Sequence, residues 1–222
     1  MASRTRFLIT ACLALAIFTP AAAAHPPALQ LPWTQGESWF YEGGPHSTLG
    51  CPDQSFSCTG GKPWNSLDFG VSGPGIVRAA AAGTVQSTTQ CPAKSNFVIL
   101  DHGDGWHTTY YHLVDIRVHP GEHVTGGQRL GTTSTEHGCA GHADGPHVHF
   151  SVARYTGPYS WHGGRVDLDG FQIGSWIFHY GKTQYSGCAT NVVTKHLVCP
   201  GGKLSNDGAA VRECGATNAV KS

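Results

Sequence analysis

The sequence predicts an all-β chain, or nearly so, of short strands joined by long loops and tied by disulfides. Three observations carry that expectation. Short apolar and aromatic runs such as Phe97-Val98-Ile99-Leu100 and His147–Val152 recur between turn-forming clusters. The 222 residues include 30 Gly and 13 Pro, which punctuate many short strands. Past the first two dozen residues, no stretch repeats its apolar positions at helical spacing. A chain of this length can bury one core, and with 13% charged residues it is far from a coiled coil or a charged disordered tail.

In chain order, residues 1–24 read as a secretory signal peptide. Arg4 and Arg6 precede an apolar run from Phe7 to Phe18, and Pro20 and Ala21–Ala24 supply a small-residue cleavage site. Removal of this leader is expected to yield a secreted, extracellular, monomeric protein. No later run approaches the ~18 apolar residues of a membrane span, so stable membrane insertion is not expected. A single domain is expected over residues 25–202, with residues 25–45, rich in Pro, Trp and Gly, reading as irregular. Strands are expected at Ser66–Gly70, Ile76–Val77, Thr84-Val85, Phe97–Leu100, Trp106–Leu113 and His147–Val152. The Asp104-Gly105 pair marks a hairpin turn ahead of Trp106. Residues 155–185 are aromatic and less regular, and residues 203–222 read as a polar C-terminal tail.

Lys+Arg and Asp+Glu both total 14, so no basic excess exists to track phosphates, and nucleic acid is excluded as a partner. Cysteines outside the leader stand at 51, 58, 91, 139, 188, 199 and 214, with no C-x-x-C pair to suggest a structural zinc cluster. Export makes disulfides the expected state. Local spacing favours Cys51–Cys58 and Cys188–Cys199, with Cys91–Cys139 closing a longer loop and Cys214 left over.

The 14 histidines are more than packing requires. In Pro146-His147-Val148-His149-Phe150-Ser151-Val152, strand alternation sends both imidazoles to one face and Val148, Phe150 and Val152 to the other. By the same rule Thr108, Tyr110 and His112 share a face, and Asp68 lies opposite Leu67 and Phe69. Three segments thus each offer a metal-type or proton-transfer residue opposite an apolar face. A catalytic zinc takes three protein ligands and keeps a position for water. His46, in Gly43-Gly44-Pro45-His46, can supply the ligand still missing. No H-E-x-x-H motif occurs, so proton transfer falls to histidine, whose pKa lies near neutrality.

These residues, with Ser66-Leu67-Asp68-Phe69, Tyr110-Tyr111-His112-Leu113 and Gly121–Gly131, resemble the lysostaphin-type zinc endopeptidases, most of all their staphylolysin and beta-lytic branch. The resemblance runs over roughly residues 40–200. It implies an antiparallel β-sheet groove with one Zn2+ at its floor, held by His46, Asp68 and His149. It makes His112 and His147 the catalytic pair, either of which can be the base, and it matches Tyr185, ahead of Cys188, to an auxiliary tyrosine near the site. It also implies peptide substrates: peptidoglycan cross-bridges, particularly glycine-containing ones, or Gly-rich proteins. Trp64 and Trp106, near Asp68 and His112 in sequence, are the expected groove-lining aromatics. The other class of function is a non-catalytic peptidoglycan-binding or amidase-activating module on the same fold. Such modules typically lack metal ligands that are present here.

Overall fold

The computed structural model describes residues 25–47, 61–88, 96–137, 143–155 and 164–208. The expected leader, the pairs Cys51–Cys58 and Cys91–Cys139, and Cys214 lie outside the described residues. Among the described residues there is no helix, and none could therefore cross a membrane. The strands are β1 (Ser38–His46), β2 (Ser66–Gly70), β3 (Ile76–Arg78), β4 (Gly83–Ser87), β5 (Phe97–Asp101), β6 (Trp106–Tyr111), β7 (Leu113–Val114), β8 (His123–Val124), β9 (Arg129–Thr133), β10 (His147–Arg154), β11 (Gln172–Ile173), β12 (Trp176–Phe178), β13 (Ala189–Asn191), β14 (Leu197–Val198) and β15 (Lys203–Ser205). The expected all-β class is borne out.

An eight-stranded sheet runs in the order β15-β1-β2-β10-β6-β5-β4-β8. The three segments singled out for their histidines and aspartate are thereby neighbours, with β10 between β2 and β6. All the pairings around β10 are antiparallel. Alternation explains which side is covered. Leu67 and Phe69 of β2, Tyr110 of β6, and Val148 and Phe150 of β10 are wholly buried in one apolar cluster. Trp33 stacks on Trp39 at 5.1 Å between ring centres in that cluster, and Phe69 meets the edge of Trp33 at 5.2 Å. Burying such aromatic area is the largest favourable contribution a fold of this size has.

Two smaller sheets close the core. The order β11-β12-β13-β14 lays Ile173, Trp176, Phe178 and Ala189 on it. The order β3-β9-β7 adds Val77, Leu113 and Leu130. The expected Cys188–Cys199 disulfide flanks the β13–β14 hairpin.

Several expectations need correction. Most of the second half of residues 25–45, expected to be irregular, lies in β1, the longest strand among the described residues, with Trp39 and Tyr41 turned inward. The Gly43-Gly44-Pro45 run hid this alternation. The polar tail does not begin at 203: β15 pairs with β1 and sets Leu204 opposite Trp39. Leu204, one apolar residue in a polar run, is fully buried, and Asn206 Nδ2 donates to the carbonyls of Leu31 and Trp33 at 3.0 and 2.5 Å. Trp106 belongs to the core rather than a groove, because β6 turns it toward Phe171. Trp64 is also buried, packed on Tyr180.

Candidate metal centre

The face of β2 and β10 opposite the core carries Asp68, His147 and His149. Register sets His149 opposite Asp68 and His147 opposite Gly70. Cross-strand neighbours lie close enough for their side chains to meet, and His149 Nδ1 lies 3.0 Å from Asp68 Oδ1.

His46 reaches the same point by a different route. Between Tyr41↔Phe69 and Gly43↔Asp68, and again between Gly43↔Asp68 and His46↔Ser66, β1 holds one residue more than β2. Such bulges twist a strand and redirect its side chains. At the end of the doubly bulged strand, His46 Nε2 stands 3.1 Å from His149 Nδ1 and 3.5 Å from Asp68 Oδ1. Glycine is required on the way. A Cβ on Gly43 would stand 2.8 Å from Asp68 Oδ2 and 2.9 Å from the Tyr185 ring.

His112 departs from simple alternation. Thr108 and Tyr110, expected on its face, hydrogen-bond each other at 2.9 Å on the core side, where the Tyr110 hydroxyl also accepts from the Ala80 amide. The strand ends at Tyr111, and His112 takes a left-handed φ of 63°. That turn carries its ring to the other face, 4.6 Å from the His147 ring. A non-glycine residue in this region costs of order 1–3 kcal/mol and tends to occur at functional sites. The carbonyl of His112 accepts from both the amide and the hydroxyl of Ser134, which holds the turn.

Tyr185 has the same kind of backbone, with φ 68°. Its carbonyl accepts from the Gly44 amide at 2.9 Å, and its half-exposed ring stacks on His46 at 4.0 Å. The structure therefore brings together all six predicted residues: His46, Asp68, His112, His147, His149 and Tyr185.

Three rings share one device. Nδ1 of His46, His112 and His147 lies 2.8 to 2.9 Å from the carbonyl oxygens of Gly44, Glu136 and Gly145. A carbonyl only accepts, so Nδ1 carries the proton, and in the neutral ring Nε2 is the nitrogen left with a lone pair. His149 is reversed, with Nδ1 facing the cluster and a buried Nε2 that finds no partner among the described residues.

Electrostatics separate the groups. Burial pushes the Asp68 carboxyl up, but the neighbouring His46 and His149, both in close contact with it, outweigh burial, and the group is held well below the usual carboxylate range. Burial lowers His149, against the pull of Asp68. Burial, then the neighbouring His147 and His149, drive His112 down to about 3, so it stays neutral near pH 7. Burial, then Asp68, pushes the Tyr185 hydroxyl up to about 12.

His46, Asp68 and His149 form a group able to hold a metal ion. Tetrahedral zinc with bonds of 2.0–2.1 Å spaces its donor atoms by about 3.3 Å, and the three separations here are 3.0, 3.1 and 3.5 Å. Two imidazole nitrogens and one carboxylate oxygen suit zinc better than the all-oxygen shells of calcium or magnesium.

Comparison with known proteins agrees with this geometry. Residues 62–166 match the model of Peptidase family M23. The chain carries a Peptidase family M23 domain. Protease LasA of Pseudomonas aeruginosa is 34% identical over 173 residues, which are 74% of this chain and 37% of LasA. The beta-lytic metalloendopeptidase of Lysobacter enzymogenes is 28% identical over 178 residues, covering 76% of this chain and 89% of that protein. Among solved structures, the M23 metalloprotease pseudoalterin from the deep sea superposes with a TM-score of 0.63 at 26% identity, over 80% of this chain and 98% of pseudoalterin. The expected likeness to the staphylolysin and beta-lytic branch is borne out. His46 and Tyr185 lie outside the stretch matched by the M23 model. Glu42 was missed from sequence. It is the extra residue of the first bulge, and no residue pattern announces a bulge.

Proposed function

We propose that this M23 protein is a secreted zinc endopeptidase that hydrolyses peptide bonds in bacterial peptidoglycan cross-bridges, with glycine-containing bonds preferred. The observation that supports it is the triangle of His46 Nε2, Asp68 Oδ1 and His149 Nδ1, with the rings of His112 and His147 beside it. Two relatives in Vibrio cholerae bear the name peptidoglycan DD-endopeptidase, one of them 34% identical over 90 residues.

A zinc ion held by these three atoms would polarise the scissile carbonyl and make water a nucleophile near neutral pH. The chain's own residues supply the rest. His46 is fixed in the ligating tautomer by Gly44 O. Asp68, kept ionised, contributes the one negative charge among the three. The His112 and His147 rings both stand beside the triangle, His112 4.6 Å from His147 and 6.3 Å from His149, with Nδ1 of each engaged by a backbone carbonyl. Positive charge is disfavoured on His112 by burial and by its imidazole neighbours. His147 Nε2 has Asp68 Oδ1 at 3.8 Å, so His147 is the ring that takes the proton from water and returns it to the leaving amine. His112 remains neutral and orients the water through Nε2. The Tyr185 hydroxyl, un-ionised, is a donor for the negative charge that develops on the carbonyl oxygen.

The deciding experiment loads purified protein with zinc and digests purified peptidoglycan. Near-stoichiometric zinc and new amino termini support the proposal. New reducing ends without new amines would assign a glycosidase instead, and absence of both zinc and cleavage would assign a binding module.

A further inference from the structure

On the face that carries Asp68 and His149, the next cross-strand pair along β2 and β10 is Gly70 and His147. Gly70 has no side chain, and the space above it is filled from β1. A Cβ built on Gly70 would overlap the Glu42 carboxylate. Glu42 is the inserted residue of the first β1 bulge, between Tyr41↔Phe69 and Gly43↔Asp68. Tyr41 is buried beneath, while Glu42 is exposed on the open face. Its carboxyl is raised by burial first, lowered by His147 and raised by Asp68, which places it within the field of both groups.

The carboxylate takes part in none of the ion pairs among the described residues, which engage Asp68, Asp101 and Asp115. No described side chain hydrogen-bonds it. A second anion has thus been carried to the rim of the centre, beside the ring that moves the proton, with no cation paired to it among the described residues. An acid without a partner among the described residues, exposed on the open face beside His147, fits a positively charged group arriving with the substrate.

We infer that Glu42 is a specificity-determining residue that recognises a primary ammonium group on the substrate peptide, docked over Gly70 next to His147. This rests on the peptidase reading above and names a substrate class within it. The ammonium can come from the peptide's free amino terminus or from a lysine-type side chain, and the test separates the two.

The probe is a pentaglycine peptide carrying one lysine, in four forms: both amines free, the α-amine acetylated, the ε-amine acetylated, and both acetylated. The zinc-loaded protein is expected to favour the form with the recognised amine by about two- to fivefold in kcat/KM, the range of a solvent-accessible ion pair. The difference should lie in KM and shrink as salt is added. Glu42→Gln should bring the ratio to about one, and Glu42→Lys should push it below one. Whichever single acetylation removes the preference identifies the source. Equal cleavage of all four forms by the unmodified protein, or a preference that survives Glu42→Gln, overturns the inference and leaves the peptidase reading standing. Failure to cleave any form overturns both.

Discussion

Replacing Gly43 with alanine adds a single methyl group beside the metal triangle. The new carbon would stand 2.8 Å from Asp68 Oδ2, 2.9 Å from a Tyr185 ring carbon and 3.2 Å from Asp68 Cβ. Ordinary carbon contacts are about 3.5–4.0 Å, so the neighbours must retreat by roughly half an ångström or β1 must lift. Asp68 has little room, because its Oδ1 is tied to His149 at 3.0 Å. Overpacking of this kind costs about 1–3 kcal/mol of stability. Displacement of a donor by this amount should weaken zinc binding by about 10–100-fold, as loss of an orienting partner does. Catalysis should fall by about 10²-fold. Zinc competition against a chromophoric chelator, hydrolysis of a glycine peptide and urea unfolding read the three effects. Gly126→Ala is the control, since its Cβ would meet nothing nearer than 3.5 Å. A Gly43→Ala protein that binds zinc and cleaves like the parent would refute the geometry on which the centre is built.

Tyr185→Phe keeps the ring on His46 but removes the hydroxyl, so zinc should stay bound while kcat falls by about 10²-fold, the cost of one oxyanion donor. Unchanged kcat would confine Tyr185 to packing. In chelator, the metal-free protein should lose stability as pH falls from 6.5 toward 3. Over that window the unfolded chain protonates His112 and the folded chain, with this ring held at about 3, does not. The depressed carboxyl of Asp68 extends the loss to lower pH. Urea midpoints between pH 7.5 and 4 should show a flatter slope in His112→Gln, and identical slopes would count against the burial of that ring. Removing both cysteines of the Cys188–Cys199 bridge, 11 residues apart, should cost about 3 kcal/mol from loop closure. Calorimetry of the double serine variant measures it, and a loss well under 1 kcal/mol would assign the hairpin's order to β13 and β14 alone.

How much of this was legible from residues depends on local periodicity. The His147-Val148-His149-Phe150 alternation placed both rings on one face and the apolar pair on the other, and β10 does so. Asp68 followed from the same rule. His112 was selected for its chemistry, but by a geometry the strand does not follow. Strict alternation would have buried it with Tyr110, and only the left-handed turn after Tyr111 rescues it. A positive φ at histidine has no signature in a single sequence. His46 and Glu42 depend on two bulges whose register is set by the partner strand, which lies 20 or more residues away. β1 and β15 were missed because each earns its place through one or two residues, Trp39, Tyr41 and Leu204, that find a core assembled elsewhere.

The seam between β15 and β1 bears on anyone shortening this protein. The strand that delivers His46 is flanked on its outer side by only three paired residues, Lys203 to Ser205, and Asn206 clasps the leading segment at Leu31 and Trp33. Trimming at residue 202, where composition suggests a dispensable end, would bare the hydrogen-bonding edge of β1 at Ser38, Trp39 and Phe40 for other copies to stick to and loosen the strand that carries His46. A shortened version should keep its chain through residue 208.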